Sequence, residues 1–453
     1  MASYYELKLV TILYSTASSE AIDQELLLGC TDYIPKAAEI ENTVATTGYT
    51  DGGAQQYARW RNTQEEIELK FNSSADFDTV EVILNRSHLW AENVATLKTY
   101  LYARHIGELA WHRSRLHTAR LTPSDGAGAF LRSGSPFLAT LAIERDYYWE
   151  EAATSAVFFD DPTGAGTLVG RSMINNWSLL SPAATAPFAK ITRSRIRGTL
   201  PVPIDLIIKN TNANIPDSFA RIHIGHNWRS DPATFEPRIS SPALSIFISG
   251  TAEVAVFSVA ILSTNLSAMR GAWFRWFFMT NNQLPADALF SMEITDTWGT
   301  LLYKSPQVSI WYQGQSVIDV GSLPLPPAAI PLPNVINIEI KMQAPTNAGV
   351  ITVERGVFLM PTDSYRMLLG KPASALRFGD TLYDLQSTDI PPFAVLAPFG
   401  TSYYPLTPHY GKIWLMPERD NGIYFVVTDT DDRQDITLTF DVTARYRARR
   451  LTI

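Results

Sequence analysis

Apolar and polar positions alternate along several short segments of the chain, as they do in strands that bury one face. Residues Tyr5–Leu9 alternate apolar with charged side chains, and Glu66–Phe71 places three apolar residues on one face and three charges on the other. This pattern is typical of antiparallel strands with one solvated face. Val80, Val82 and Leu84 continue the alternation and predict a further strand.

One stretch of the chain has helical spacing instead. Its apolar stripe recurs at intervals of four, three and four residues, at Trp90, Val94, Leu97 and Leu101. Ser87 can cap the start of this helix and Gly107 can end it. Strand patterns resume at Trp111–Leu121 and Phe137–Arg145, so the first part of the chain is predicted to be a sheet, one helix and more sheet.

The composition changes after this first part. Residues 161–187 are rich in Gly, Ser, Ala, Pro and Asn, which predicts a linker or a long exposed loop. Between residues 201 and 360, short strand-like segments follow one another without a helix, which favours a β-sandwich and most closely a jelly roll. Alternation returns in residues 436–447, where apolar side chains point one way and polar ones the other.

These patterns predict a mostly β protein with one discontinuous domain and an insertion. Residues 1–187 form the first part of a β-sandwich domain with one flanking helix, and residues 188–365 form the inserted jelly-roll β-sandwich. Residues 366–453 return to complete the first domain. The last strand is therefore expected to pair with the N-terminal sheet and not with the jelly roll.

Composition and charge narrow the possible partners. Of the 453 residues, 46% are hydrophobic and 18% are charged, which predicts a fully folded chain of two or three domains. With a net charge of -8, the chain lacks the excess of basic residues that a general nucleic-acid binder carries. The single Cys30 excludes an internal disulfide and a multi-cysteine zinc site. Charges interrupt every apolar run before the roughly 18 residues that span a bilayer, so we expect neither a signal peptide nor membrane insertion.

The sequence contains no recognised pattern for catalysis or metal binding. His223 and His226 are close in sequence, but a three-residue spacing on a strand places their rings on opposite faces. The acidic segment Asp429–Asp432 lacks the glycine and distal glutamate of a calcium loop. A G-x-S-x-G nucleophile motif and a Walker loop are absent from the sequence. We therefore predict no enzymatic activity, no cofactor and no metal site.

The tryptophans of the predicted sandwich have two interpretations. They are Trp273, Trp276, Trp298 and Trp311. Core packing is the first interpretation, because both faces of the strand Trp273–Phe278 are apolar or aromatic. The second is a glycan platform, since exposed aromatic faces can hold sugars and jelly rolls include lectin domains. The four side chains are thus candidate glycan-binding residues.

Three stretches of the chain resemble tail proteins of long-tailed bacteriophages, the siphophages, and of related prophages. They are Leu141–Glu150, the region Ile196–His226 with its Pro-rich start and Asn-rich turn, and the ending Arg445–Arg449. The resemblance implies a β-sandwich flanked by one helix, as in tail tube and distal tail proteins, which form rings around a channel for DNA. It also implies that the inserted sandwich is similar to the carbohydrate-binding-like insertions that decorate such rings.

The resemblance further implies a structural virion protein of the phage tail, made in the host cytoplasm. Its partners would be its own copies in a cyclic ring, neighbouring tail proteins, a cell-surface glycan, and DNA that passes without sequence-specific binding. An acidic channel wall would let DNA slide, because it makes no phosphate contacts. Minimal tube proteins are much smaller than this chain, so tail tube, distal tail and other baseplate roles stay open.

Two other classes of protein compete with this interpretation. A glycan-binding adhesin or receptor-binding module is the main alternative, and the aromatic platform is its support. A glycoside hydrolase is the third, since acidic pairs such as Asp160 and Asp161 could in principle supply its two carboxylates.

Overall fold

The computed structural model describes the greater part of the chain. The described residues are 4–14, 20–30, 32–46, 53–91, 97–124, 136–161, 166–174, 188–211, 219–228, 238–239, 244–264, 273–280, 287–309, 317–327, 329–369, 378–388, 392–395, 403–405, 407–429 and 439–453.

The described residues form many strands and one α-helix. The first are β1 (Tyr5–Tyr14), β2 (Glu20–Leu28), β3 (Ile40–Thr46), β4 (Gly53–Trp60), β5 (Thr63–Phe71), α1 (Ser74–Ala91), β6 (Leu97–His105), β7 (His112–Pro123), β8 (Phe137–Arg145) and β9 (Trp149–Glu151). Next come β10 (Ser155–Ala156), β11 (Phe159–Asp160), β12 (Thr167–Leu168), β13 (Gly170–Ile174), β14 (Phe188–Ile191), β15 (Val202–Pro203), β16 (Asp205–Asn210), β17 (Phe219–Asn227), β18 (Arg238–Ile239), β19 (Leu244–Leu262), β20 (Trp273–Thr280), β21 (Leu289–Thr295), β22 (Leu301–Lys304), β23 (Val308–Ser309) and β24 (Val317–Pro324). The last are β25 (Val335–Pro361), β26 (Ser364–Leu369), β27 (Thr381–Leu385), β28 (Phe393–Val395), β29 (Tyr403–Pro405), β30 (Thr407–Tyr410), β31 (Trp414–Leu415), β32 (Asn421–Asp429), β33 (Thr439–Tyr446) and β34 (Arg449–Arg450). The prediction of a mostly β protein of the sandwich class with one helix is confirmed for this part of the chain.

The chain divides into two compact units. Unit 1 comprises Met1–Ser155, Arg197–Val202 and Arg447–Ile453, and unit 2 comprises Ala156–Ile196 and Pro203–Tyr446. Both units are therefore discontinuous in sequence. Compactness does not test which segment folds on its own, so the predicted domains and the jelly-roll topology stay predictions.

Unit 1 is built on one sheet of eight strands. Six of them follow the order β2-β1-β6-β7-β8-β5, while β9 pairs with β7 and β34 pairs with β9. Strand β5 confirms the predicted alternation, because its burial alternates strictly and leaves Glu66, Glu68 and Lys70 on the exposed face. Cys30, just after β2, forms a bridge with Leu69 of β5, so the two ends of the strand order meet at this point.

The helix of unit 1 begins earlier than predicted. The Ser73 hydroxyl caps it by accepting a hydrogen bond from the Asp76 amide at 3.2 Å. The side chains that it buries recur at helical intervals, at Phe77, Val80, Ile83 and Leu84. Val82 is 54% exposed. The strand predicted across Val80–Leu84 is therefore wrong. These few apolar residues fit both the two-residue period of a strand and the helical period, and packing against the sheet decides between them.

The predicted helix with the stripe Trp90–Leu101 is also wrong. Its first residues are the end of α1, and Leu97–His105 is strand β6. This strand lies between β1 and β7 and buries every side chain from Leu97 to Ala103. A strand that is covered on both faces shows no alternation, so its apolar residues can coincide with a helical stripe. No helix among the described residues is long and apolar enough to cross a membrane.

Unit 2 contains three larger sheets. The first includes the order β33-β16-β27-β28-β29, with β13 also paired to β33, and the second has the order β14-β32-β17-β26-β30. The third has the order β22-β21-β25-β20-β24, with β19 also paired to β25. Side chains of the second and third sheets share one apolar core, whose members include Phe188, Trp276, Phe277, Phe290, Met292, Ile338, Ile340, Tyr424 and Val426. This layered arrangement agrees with the sandwich class.

The C-terminal strand β33 lies in unit 2. Its predicted alternation is confirmed, since Phe440, Val442, Ala444 and Tyr446 are buried between half-buried neighbours. The prediction that it pairs with the first domain and not with the sandwich region is confirmed only in part, because β33 pairs with β10 and β13 of residues 1–187 and also with Asp205–Asn210 of the sandwich region. The next strand, Arg449–Arg450, does pair with the N-terminal sheet. Residues 436–438 of the predicted strand lie outside the described residues.

Part of the predicted linker is also a strand. β13 pairs with β33, and its Arg171 and Met173 side chains are buried. A Cβ atom at Gly170 would come within 2.9 Å of Thr443 Cγ2, so glycine permits the close approach of these two strands. Residues 162–165 and 175–187 of the predicted linker lie outside the described residues.

Candidate functional site

A buried network in unit 1 centres on Arg145, at the end of β8. The side chain of Arg145 is fully buried, and its guanidinium donates to Glu65 Oε1 at 2.5 and 3.1 Å. It also donates to the carbonyl oxygens of Lys36 and Asp146, each at 2.9 Å. The guanidinium carbon lies 4.4 Å from the centroid of the Trp149 ring. These contacts offset the cost of burying the charge.

Glu65 attaches the segment before β3 to the same network. The Tyr33 hydroxyl donates to Glu65 Oε2 at 2.8 Å, and the Lys36 amide donates to Glu65 Oε1 at 2.9 Å. Burial, and then the charge of Glu65, raise the pKa of Tyr33, which keeps it a neutral donor. Residues 33–36 are therefore held firmly against β5.

A second network holds the C-terminal residues of unit 1. Arg449 donates to Glu150 Oε1 at 2.8 and 3.1 Å, and Arg113 donates to Glu150 at 3.4 Å and to Glu20 at 3.2 Å. Arg447 donates to Glu20 at 2.5 Å. Burial alone would raise the pKa of Glu150, but Arg449 and Arg113 hold it below its ordinary value. Glu150 is therefore ionised at neutral pH.

Two of the stretches that carry the sequence resemblance meet in this network. Arg449 lies opposite Glu150, and Arg450 lies opposite Trp149 in the strand pairing. The arginine-rich ending carries part of the sequence resemblance, but its role does not follow from the sequence, and no sequence pattern indicates Arg113. Their carboxylate partners are remote in the chain, so no local pattern indicates these pairs.

A β-hairpin formed by β3 and β4 lies outside the eight-stranded sheet. The two strands pair with each other, and among the described residues they pair with no other strand. At the base of the hairpin, Arg59 donates to Glu41 at 2.8 Å. The Trp60 ring stacks on Tyr147, with 6.1 Å between the ring centroids. These contacts tie the base of the hairpin together and connect it to the segment after β8.

A polar cleft lies beside the base of this hairpin. It has two adjoining parts of about 780 and 430 Å³, both lined by Lys36, Gln64 and Glu144. The larger part continues along residues 32–36 and the solvated faces of β5, β7 and β8, and the smaller part continues along residues 59–64. Acidic, basic and apolar side chains all line it, a mixture suited to contact with another protein surface.

The predicted glycan platform is not assembled as a set in the described structure. Trp276 is fully buried in the core of unit 2, so its ring is not available to a sugar. Trp298 is 90% exposed on the turn between β21 and β22. Trp273 begins β20, and Trp311 lies outside the described residues. Glycan binding by the remaining rings stays a prediction.

The two histidines of β17 have separate partners. His223 Nδ1 lies 2.7 Å from the Tyr365 hydroxyl, while His226 Nε2 donates to Asn421 Oδ1 at 2.8 Å. The Ser364 hydroxyl lies 3.2 Å from His226 Nδ1 and donates to it, because Nε2 carries the ring proton. This serine–histidine–asparagine chain resembles a catalytic triad, but His226 and Asn421 are fully buried. In the described residues no group of three His, Cys, Asp or Glu side chains is placed to hold a metal, and the predicted lack of a metal site stays a prediction.

The fold and these sites define a β-rich protein with buried arginine–carboxylate networks and a self-paired hairpin. No family model matches the chain, and no curated protein matches it. Among solved structures the chain is similar to the phage p2 baseplate in its activated conformation, at 9% identity and a TM-score of 0.23, covering 77% of this chain and 98% of the other.

Two further structures were matched. The Dit protein of phage SPP1, described as a hub adsorption apparatus of phages that infect Gram-positive bacteria, has 8% identity and a TM-score of 0.17, with the same coverage of both chains. VP2 of infectious bursal disease virus has 7% identity and a TM-score of 0.18, covering 54% of this chain and 64% of the other. TM-scores this low do not show a shared fold.

Proposed function

We propose that this protein is a structural component of a bacteriophage tail, which forms a closed ring of its own copies around the DNA channel as a distal tail or tail tube protein. The observation that carries the proposal is the self-paired β3–β4 hairpin beside the polar cleft of unit 1. The resemblance in sequence supplies the phage class, and the hairpin supplies a means of association.

A hairpin of two strands gains stability from a neighbouring surface. Two isolated strands bury little apolar surface and are marginally stable in water. Their outer edges also present backbone groups that another strand or surface can satisfy. The cleft of a second copy offers such a surface. A contact between two different patches, repeated from copy to copy, closes into a ring when the rotation fits.

The edge of the unit 1 sheet supplies a second contact for the ring. Strand β2 is the last strand of the sheet order and meets β5 at Cys30, just beyond its last residue, while its Ile22 and Leu27 side chains are 60% and 67% exposed. An exposed apolar edge strand favours pairing with another chain. A neighbouring copy covers both the edge and these side chains.

A solvated strand face supplies the wall of the channel. Glu66, Glu68 and Lys70 lie on the exposed face of β5, and the whole chain has a net charge of -8. An acidic wall repels phosphate, so DNA passes without the salt-dependent contacts that would retain it.

The proposed role involves no catalysis, cofactor or metal. The serine–histidine–asparagine chain supports this, because its base and its amide lie in the interior of unit 2. Burial lowers the pKa of His226 to about 4, which makes the ring a weak base. The hydrogen bonds among these three side chains instead connect β17, β26 and the start of β32.

The test is electron microscopy of the full chain, both purified and in assembled phage tails. We expect rings with an axial channel and interfaces above about 1,000 Å². A variant with residues 41–59 replaced by a short Gly-Ser loop is expected to lose the rings. Its unit 1 is expected to stay folded, which thermal melting checks, because the hairpin shares no strand pairing with the sheet in the described residues.

A surface change in the other unit provides the matched control. Phe378 in unit 2 is 53% exposed, and Phe378→Ser is expected to assemble normally. The proposal is overturned if the protein is monomeric in the assembled particle, or if the hairpin variant forms the same rings as the parent chain.

A further inference from the structure

One segment of unit 1 comes from a distant part of the chain and lies between two other parts of the same unit. Strand β34 pairs with β9, and the Glu151 amide donates to the Ala448 carbonyl oxygen at 2.9 Å. On its other edge, the Thr199 amide donates to the Arg449 carbonyl oxygen at 2.8 Å. Residues 447–453, which we call the strap, are therefore inserted into the backbone hydrogen bonding of unit 1.

The side chains of the strap are largely buried in its docked position. Ala448 is fully buried, and Arg447 and Arg449 are buried as well. Ile453 packs, partly buried, against the apolar core of unit 1. The Tyr5 hydroxyl donates to the Ile453 carbonyl oxygen at 2.9 Å. Burial and hydrogen bonds at both of its ends therefore stabilise the docked strap.

The backbone of residue 198 lies directly against the strap. Gly198 has a φ of 98°, the left-handed conformation that favours glycine. A Cβ atom at this position would come within 2.7 Å of the Arg449 carbonyl oxygen and within 2.9 Å of its amide nitrogen. Because only glycine permits such an approach, this contact fixes one docked position for the strap.

A line of stacked side chains leads from the strap to the base of the β3–β4 hairpin. The Arg449 guanidinium carbon lies 3.9 Å from the centroid of the Tyr148 ring. The Tyr148 ring packs edge to face against Tyr147, with 4.9 Å between the centroids, and Tyr147 stacks on Trp60 at 6.1 Å. We call these three rings the aromatic line. Since Trp60 is the last residue of β4, the docked strap supports the base of the hairpin.

Coupling between two parts of a protein requires an element with two states that both parts influence. The strap supplies these states, because docking places Arg449 over the Tyr148 ring and undocking removes it. The hairpin shares no strand pairing with the eight-stranded sheet in the described residues, so side-chain contacts such as that of Trp60 contribute to its position. Elements with few such contacts open at a low cost in free energy, so a small loss of support changes how often they open.

We infer that the strap is a conformational switch for the β3–β4 hairpin, which is held in its ordered position only after residues 447–453 have docked. Arg449 and the aromatic line carry the effect from the strap to Trp60. The use of the hairpin in ring assembly rests on the proposed function, whereas the coupling between the strap and the hairpin does not. In that setting, a chain joins a ring only after its strap has docked.

The order of synthesis gives this coupling a purpose. Arg449 lies 299 residues beyond Glu150, with which it forms an ion pair. At about 5 to 20 residues per second, Arg449 is made roughly 15 to 60 s after Glu150. Unpaired strand edges of incomplete chains associate with one another. A hairpin that becomes ordered only after docking of the strap offers no such edge during this interval.

The experiment measures hydrogen exchange of the full chain, at a concentration at which light scattering gives the mass of a single chain. Arg449→Met removes the cation over Tyr148, and Tyr148→Leu interrupts the aromatic line while Arg449 keeps its ion pair with Glu150. Each change is expected to raise the exchange rates of the amides in residues 40–60 by at least about fivefold.

The coupling is also expected to act in the opposite direction, because linkage between two sites is reciprocal. Trp60→Ala removes the ring at the base of the hairpin and leaves the strap unchanged. The exchange rates of the amides in residues 447–453 should therefore rise in this variant. Parental rates in the strap would contradict the coupling.

Two variants provide matched controls. Arg450→Met changes a 42% exposed side chain of the same strap that is not part of the aromatic line. Val80→Ala lowers the stability of unit 1 through lost packing of α1, away from the strap and the hairpin. Both controls should keep the parental exchange rates in residues 40–60.

The inference is overturned if residues 40–60 exchange at the parental rate in both Arg449→Met and Tyr148→Leu, or if either control raises their exchange equally. If Arg449→Met does not fold, Tyr148→Leu decides alone. Electron microscopy of the same variants tests the ring separately. Rings built from a variant with rapid exchange in the hairpin would contradict the role of the hairpin in the ring and would leave the coupling intact.

Discussion

The ion pairs of the two units differ in their exposure. In unit 1 the guanidinium groups of Arg113, Arg145 and Arg449 lie inside the fold. Unit 2 has a buried pair as well, between Arg366 and Asp384, but its Lys304 side chain is 38% exposed and forms its ion pairs on the third sheet. Removing one partner of a buried pair leaves a charge without water, whereas an exposed partner can be hydrated again. We therefore expect the buried pairs of unit 1 to contribute more to stability than the pairs of Lys304.

The strongest test of this comparison is Arg145→Met. The change leaves Glu65 buried without its cation and removes the donor of the Lys36 carbonyl oxygen, while the Asp146 carbonyl oxygen keeps the Ser114 hydroxyl as a donor. We expect the free energy of unfolding to fall by about 3 to 5 kcal/mol in urea titrations. Arg120→Met, an exposed change in the same unit, should cost below about 1 kcal/mol. Similar losses for both variants would contradict the distinction between buried and exposed charge.

His226 tests whether the interior of unit 2 is equally sensitive to charge. Burial lowers its pKa in the folded chain to about 4, against the ordinary value of 6.5. Between these values the unfolded chain binds the proton and the folded chain does not. Stability is therefore expected to fall as the pH drops from 6.5 towards 4, by at most roughly 3 kcal/mol from this residue.

Urea unfolding at pH 7, 5.5 and 4.5, compared with the variant His226→Gln, measures this contribution. Glutamine cannot take up a proton, so the variant should lose less stability on acidification than the parent chain. An identical pH dependence in the two proteins would show that His226 does not titrate as proposed.

Arg449→Met sharpens the comparison within unit 1. Glu150 keeps Arg113 as a partner after this change, so its charge remains partly compensated. We therefore expect a smaller loss than for Arg145, roughly 2 kcal/mol by chemical denaturation. The neighbouring Arg450 is 42% exposed, and Arg450→Met should have little effect. If Arg449→Met were no worse than Arg450→Met, the C-terminal network would not hold unit 1 together.

The smallest expected effect is that of Lys304→Met. The Lys304 side chain is 38% exposed, and its buried partner Glu293 keeps Lys341 as a second partner after the change. The free energy of unfolding should therefore fall by about 1 kcal/mol, as measured by urea titration. A loss of several kcal/mol would show that these pairs stabilise unit 2 as strongly as the buried networks stabilise unit 1.

Local patterns in the sequence were sufficient for the strands with one solvated face. The alternation in Thr63–Phe71 and Thr439–Tyr446 matches the burial of both strands in the structure. Such a strand has one buried and one solvated face, so apolar and polar residues alternate along its sequence. The class of the protein followed from the same signal, repeated along the chain.

Elements whose environment is not local could not be predicted in this way. Strand β6 is buried on both faces because β1 and β7 flank it, and its apolar residues therefore imitated a helix. Helix α1 was mispredicted in the opposite direction, as a strand. Its short apolar pattern fits both a strand and a helix, and only its packing against the sheet shows which residues are buried.

The sequence by itself determined the β-rich class, the alternating strands and the acidic balance, because each depends on composition or on adjacent residues. Only the tertiary structure decided the pairs Arg145–Glu65 and Arg449–Glu150, whose members are 80 and 299 residues apart. It also decided that Trp276 is buried while Trp298 is exposed. The physical reason is the same in each case: burial and charge pairing are properties of the space around a side chain, which residues far along the chain fill.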